Sequence, residues 1–297
     1  MQDRDALGAV QWLRENIFTL ETTDGDATDS ATTVSCAQLL TVSSSSGVQL
    51  PVSDLAASLS AVAASAIHAN SLTCLKLWNN NLGPEGALLL VQAIRGLPNL
   101  LVLSLGCNSI GARGMKAIGP ALTTSRSGQP VLQTLDLTQN VLGYAGIKAL
   151  VPFLSNLTAL QCLRLANNDV TDAGVKILGP SLTKLSASLC ELDLSNNSFG
   201  ALGTEALGQQ LGALTRLQKL HLSSNSEMSC QGKYALWPDI CNLSSLQVGV
   251  SWLQLLLYSP CMVPILCRAF ELIVHGIPVP HESNHVCYCA CMLLPRG

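Results

Sequence analysis

The sequence predicts an α/β solenoid, a chain of strand–turn–helix units stacked one on the next. Asparagines recur at Asn80, Asn108, Asn140, Asn168, Asn197 and Asn225, spaced 28, 32, 28, 29 and 28 residues apart. Each closes a short run with leucines at fixed offsets, as in "LTCLKLWNN" from Leu72 and "LQTLDLTQN" from Leu132. Behind each of the first five lies a stretch with apolar residues every three or four positions, the period of a helix with one buried face. A fixed period of this length marks a repeat architecture in which no unit buries its apolar face alone.

The first half of each unit reads as a strand. Successive side chains of a strand point to opposite faces, so Leu75 and Leu77, like Leu135 and Leu137, point into the core while Lys76 and Asp136 point out. A fully buried leucine contributes roughly 1.5–3 kcal/mol, and stacking of repeats is what realises it. The asparagine follows where the chain leaves the strand and turns. A buried amide there can satisfy the backbone of the turn, and an unpaired buried group costs about 1–3 kcal/mol. A ladder of these six asparagines is therefore expected, with ordinary turn residues as the milder alternative. The second half is helical: "PEGALLLVQAIRGL", "ARGMKAIGPALTTS", "YAGIKALVPFLSN", "DAGVKILGPSLTKL" and "ALGTEALGQQLGAL". Pro120, Pro152 and Pro180 stand at equivalent places in three of them. Proline removes a backbone bond and bends a helix, so a shared kink on the outer surface is expected.

At the start, residues 5–19 could form an amphipathic helix, and "ETTDGDATDSATT" (21–33) is too poor in apolar residues to pack. Residues 36–70 read as a degenerate first repeat, with Leu40 and Val42 inward, Ser45 in the asparagine place and Asp54 as the N-cap of the helix after it. At the other end "PDICNLSSLQVGV" (238–250) supplies one last strand through Leu246 and Val248. The expected organisation is an N-terminal helix and polar linker over 1–35, a solenoid over 36–250, and an apolar, Cys-rich tail over 251–297 that forms a cap or stays unordered.

The segments from Leu72, Leu100, Leu132, Leu160 and Leu189 match L-x-x-L-x-L-x-x-N-x-L, and "LQKLHLSSN" from Leu217 keeps its first half. This pattern resembles the leucine-rich repeat family. The full helix and the N-x-L-G-x-x-G continuation resemble its ribonuclease-inhibitor-like subclass, which includes the repeats of NOD-like receptors and of the Ran GTPase-activating protein. The resemblance covers about Leu72 to Asn225 and, more loosely, the flanking repeats. It implies a right-handed horseshoe with a parallel inner sheet and outer helices. It specifies architecture rather than function, because unrelated functions share the scaffold.

Composition narrows the function classes. The 297 residues carry a net charge of −3 with no basic run, which argues against nucleic acid as a partner because phosphate contacts dominate that affinity. "MQDRDALGAV" lacks a basic region leading into an apolar one, so the 12 cysteines are read as reduced thiols of a cytoplasmic or nuclear protein. Residues 248–267 contain 20 uncharged positions, long enough to cross a bilayer, but Gln254, Pro260 and Pro264 favour a cap over the last repeat. "HESNH" fits H-E-x-x-H, with His281 and His285 as metal ligands and Glu282 as base. Pro278 and Pro280 stand where the supporting helix should already run, and no third ligand of the protease type follows. A structural zinc site of His281, His285, Cys287, Cys289 and Cys291 has suitable ligand types and unusual spacing; a metal-free tail is the alternative. No P-loop, G-x-G-x-x-G or G-x-S-x-G occurs, and no cofactor is expected.

On a solenoid of this kind the concave sheet is the expected binding surface. Its outward residues are Lys76, Trp78, Ser104, Thr134, Asp136, Arg164, Glu191, Asp193, Lys219 and His221, with Cys74 and Cys162 beside them. The centre leans acidic at Asp136, Glu191 and Asp193, and Trp78 is either an interface anchor or packed under the N-terminal segment. The leading reading is a monomeric, non-catalytic module that binds a protein partner on this face. A GTPase-activating protein of the Ran-activator type is the alternative, and a zinc hydrolase through His281, Glu282 and His285 stands behind it.

Overall fold

The structure is a computed structural model that describes residues 39–41, 52–64, 66–123 and 131–225, with 236, 240, 243, 245 and 246. The expected N-terminal helix and linker of 1–35, Val42, Ser45, Val248, the apolar stretch 248–267 and the whole of 251–297 lie outside these residues. So do His281, Glu282, His285, Cys287, Cys289 and Cys291.

Seven three-residue strands form one parallel sheet in sequence order: β1 Leu39–Thr41, β2 Cys74–Lys76, β3 Val102–Ser104, β4 Thr134–Asp136, β5 Cys162–Arg164, β6 Glu191–Asp193 and β7 Lys219–His221. The register never slips. Leu40, Leu75, Leu103, Leu135, Leu163, Leu192 and Leu220 pair in one row across the sheet. A one-residue slip would send each of these leucines to the opposite face, so the shared pattern fixes the pairing. Leu75, Leu103, Leu135, Leu163 and Leu192 are fully buried.

Helices return the chain on the other side of the core: α1 Val52–Ala64, α2 Ala66–Ser71, α3 Gly83–Arg95, α4 Gly111–Leu122, α5 Gly143–Leu154, α6 Asp172–Thr183 and α7 Ala201–Leu211. Helices α3 to α7 pack each on the next. Each buries an apolar stripe, as Ala87, Leu90, Ala93 and Ile94 do in α3 and Met115 and Ile118 in α4. The stripe and the strand leucines meet in one continuous core.

The turn between strand and helix has a conformation that the repeat imposes. Residues on both sides of four ladder asparagines take left-handed backbone, as Asn79 and Asn81 (φ 56° and 50°) do around Asn80 and Gln139 and Val141 (56° and 54°) around Asn140. Such backbone suits Asn, Asp and Gly and costs about 1–2 kcal/mol for other residues. In the first three complete repeats a glycine at Gly83, Gly111 or Gly143 adds a further positive φ before the helix. Repeat four has Thr171 there, and the backbone is extended instead, with φ −89° and ψ 175°.

Three expectations change. Helix α1 begins at Val52, so Asp54 lies within its first turn and not at its cap; its carboxylate still meets the positive end of the helix. Pro120, Pro152 and Pro180 fall two or three residues before the ends of α4, α5 and α6. They mark helix ends rather than mid-helix kinks, because a proline in the last turn disturbs only the carbonyl four residues back. Leu246 is not a strand residue: its bond to Leu243, and that of Leu243 to Ile240, repeat Leu217 to Leu214 and Leu214 to Leu211. Leu246 thus takes the place of Leu217, ahead of the strand position.

Candidate partner-binding face

The middle residue of each strand from β2 to β7 points into the core, and the residues flanking it face the concave side. Neighbouring strands lie about 4.8 Å apart, so side chains from repeats roughly 30 residues apart in sequence become immediate neighbours. Arg164 pairs in register with Asp136 on one side and Asp193 on the other, and Glu191 pairs with Lys219.

Glu191 is the hub of the charged centre. Arg164 donates from Nε to its Oε1 at 2.8 Å, and the Lys219 ammonium stands 3.8 Å from its Oε2. The Glu191 side chain is 16% exposed, against 43% and 54% for Arg164 and Lys219. Burial on its own would raise the Glu191 carboxyl, but the Arg164 hydrogen bond and the Arg164 and Lys219 charges outweigh it, so its pKa lies below the usual value. Burial likewise disfavours the charge on Arg164, and its bond to Glu191 more than compensates.

Asp136 corrects the sequence expectation. It lies on the concave side but is buried, 6% exposed. Ser104 donates from Oγ to its Oδ2 at 3.1 Å, and the Thr138 amide to its Oδ1 at 3.0 Å. Asp193 is turned the same way, accepting from the amide and hydroxyl of Ser195 at 2.9 and 2.6 Å. The expected acidic lean is therefore absent: Asp136 is withdrawn, Asp193 is occupied by its own turn, and Glu191 sits between two cations. What faces solvent is a mixed-charge surface whose exposed ends are Lys76, Arg164 and Lys219, with His221 half-buried beside them.

Trp78 stands near one end of this face and is 37% exposed. Its indole lies over Gly106 of the next repeat, where any Cβ would collide with the ring. The tryptophan is thereby fixed in orientation with one face against backbone. Among the described residues, Gly106 of the following repeat is a close neighbour that holds it.

The thiols on this face are quiet. Burial, and then the nearby Glu191 and Asp136 carboxylates, push Cys162 up to about 12 against the opposing charge of Arg164. Burial also raises Cys74. Cys107 is raised by burial and then by Asp136, and its thiol donates to Gln139 Oε1 at 3.1 Å. The thiolate is the reactive form, so the Cys162 environment suits packing and not nucleophilic chemistry.

Beneath the face, the six ladder asparagines are all buried, 0–7% exposed. The Asn168 Oδ1 accepts from the amides of Asn140 and Leu142 at 2.9 and 3.4 Å, while its Nδ2 donates to the carbonyls of Leu137 and Ala166 at 2.8 and 3.0 Å. Asn108 reaches Asn80 in the same manner, Asn197 reaches Asn168, and Asn225 reaches Asn197. The amides of Asn108, Asn140, Asn168, Asn197 and Asn225 each tie their own turn to the turn one repeat earlier.

One functional contact escaped the sequence reading. The Asp172 carboxylate accepts from the amides of Gly200 and Gly203, both at 2.7 Å, and so caps α7 from the neighbouring repeat. The signal was the loss of the usual glycine at "NDVTDAG", where Thr171 and Asp172 replace Gly and a neutral residue. Among the described residues, no group of three or more His, Cys, Asp and Glu could hold a metal ion, and no helix is long and apolar enough to cross a membrane.

A family model described as "Leucine Rich repeat" matches residues 68–91, 96–119, 128–151 and 156–179, the four stretches whose register the sheet shows. Residues 68–179 of the chain carry leucine-rich repeats. Comparison with curated proteins finds no match. Among solved structures, the chain is similar to leiomodin-1 actin-binding site 2, at 11% identity and TM-score 0.37, over 50% of this chain and 88% of that one. It is also similar to an internalin from Listeria monocytogenes str. 4b F2365, at 18% identity and TM-score 0.34, over 69% of this chain and 56% of that one.

Proposed function

We propose that this protein is a non-catalytic interaction scaffold that takes a protein partner on its concave face. The repeats supply an extended surface held by a continuous core, the arrangement that solenoids use for protein recognition. The observation that carries the reading is the set of pre-oriented side chains on that face. Arg164 is fixed by Glu191 through Nε, and its side chain remains 43% exposed. Trp78 is fixed by Gly106. Interface hot spots are enriched in Trp and Arg, and fixing such side chains in advance reduces the entropy lost on binding.

Glu191 is a poor choice for testing the surface, because its removal leaves Arg164 and Lys219 facing each other without the shared carboxylate. Trp78→Ala and Lys219→Glu change exposed groups and spare the core. Proteins captured from native lysate by the wild-type chain should be lost with both variants, while thermal unfolding stays within a few degrees. Capture that is equal for wild type and both variants would move the binding surface off the concave face. The ribonuclease-inhibitor-like subclass and a cytoplasmic or nuclear location belong to the same proposal. They are supported by the N-x-L-G-x-x-G continuation and by thiols that stand free at Cys74, Cys107, Cys162 and Cys190.

A further inference from the structure

Along the rim where strands end and helices begin, the side chains change character from one end of the solenoid to the other. At equivalent positions in the first two complete repeats, Glu85 and Arg113 form an ion pair of 2.8 Å with side chains 68% and 72% exposed. The next three repeats carry Ala145, Ala173 and Leu202 there, all exposed. Leu202 is 71% exposed, Tyr144 beside Ala145 is 42% and Val141 is 60%. Asp169 in the turn, and Lys148, Lys176 and Glu205 one helical turn further on, are exposed charges that border this stretch, while Asp172 is engaged with α7.

Val141 is doubly unfavourable for the solenoid itself. It is β-branched at φ 54°, where the left-handed backbone costs about 1–2 kcal/mol, and equivalent positions hold Asn81, Ser109 and Asp169. Its side chain returns nothing to the core. A strained, exposed apolar residue beside other exposed apolar residues points to a use outside the repeats.

The chain supplies an occupant. It continues past Leu246, which packs against the last part of the core, and residues 248–267 then present 20 positions without a charge. The apolar half of the rim ends at α7, in the last complete repeat before that point, whereas the ion-paired half lies at the far end. Side-by-side helices stand about 8–10 Å apart, so α5 to α7 spans roughly 16–20 Å, and 20 residues reach about 30 Å even as a helix. Covering the Glu85–Arg113 pair instead would strip two solvated charges of water. We propose that residues 248–267 of the same chain dock on the rim formed by Val141, Tyr144, Ala145, Ala173 and Leu202. The concave face stays free for a partner, and neither assignment depends on the other.

Hydrogen exchange of the full chain, wild type against Val141→Asp/Leu202→Glu, tests this. Aspartate tolerates the left-handed backbone, and an acidic residue in the first turn of α7 meets the positive helix end, so the repeats stay folded; amides of α3 and α4 report that they do. In the wild type, amides of 248–267 should exchange at least about tenfold more slowly than unprotected chain, and the double variant should lose that protection. Exchange at the unprotected rate in the wild type, or protection untouched in the variant, overturns the proposal. Protection that vanishes on dilution would assign the rim to a second copy. Protection that appears only with phosphatidylcholine vesicles would assign the segment to lipid; both results overturn it as well.

Discussion

Asn168→Ala removes four hydrogen bonds from the centre of the solenoid. The amides of Asn140 and Leu142 lose their acceptor, and the carbonyls of Leu137 and Ala166 lose their donor. Position 168 is fully buried, so water does not replace the amide without entering the core. An unsatisfied buried group costs about 1–3 kcal/mol. The two shortest bonds, 2.9 Å to Asn140 and 2.8 Å to Leu137, together set an expected loss of about 3–5 kcal/mol, since the carbonyls retain partial alternatives in the turn. At about 2–4 °C per kcal/mol for a chain of this size, the unfolding midpoint should fall by roughly 6–20 °C. Thermal and urea unfolding followed by far-UV circular dichroism measure it, with Asn156→Ala, an exposed asparagine, as the control expected within about 0.5 kcal/mol. A shift for Asn168→Ala no larger than that of the control would refute the ladder as a source of stability.

Val141→Asn should stabilise the solenoid by about 1 kcal/mol, because asparagine accepts the left-handed backbone that valine resists; a lower urea midpoint would contradict that. Asp172→Ala should cost about 1–2 kcal/mol, the value of a helix cap, and should speed exchange in α7 before α4; uniform loss across the helices would argue against a local capping role. The Glu191 carboxyl has a folded-state pKa below its ordinary 4.5, so the stability it contributes is present above pH about 4.5 and is lost as the pH falls through the depressed value. Unfolding midpoints measured between pH 7 and pH 3 should therefore fall less steeply below pH 4.5 for Glu191→Gln than for wild type, and parallel curves would remove Glu191 from the acid response.

Much of this architecture was legible because the repeat carries its own phase. Leu75 with Leu77 and Leu135 with Leu137 occupy alternate positions in short strands, and alternation alone assigns them to the core. The asparagine spacing of 28–32 residues sets the repeat length and so which strand follows which. The prolines were legible as a set, but not as helix ends, because element boundaries depend on capping and on what the next repeat presses against. Asp54 was misplaced for the same reason.

The candidate site was legible as a surface and not as an arrangement. Sequence alone determined that Arg164, Glu191 and Lys219 share the concave face, since period-2 geometry is local to each strand. Only the tertiary structure decided that Glu191 is held between the two cations, that Asp136 is withdrawn beneath Ser104, that Gly106 props Trp78, and that Asp172 caps a helix 28 residues further on. Those outcomes rest on side-chain reach across strands and helices from different repeats. A stacking distance of a few ångströms joins residues there that the chain keeps about a whole repeat apart.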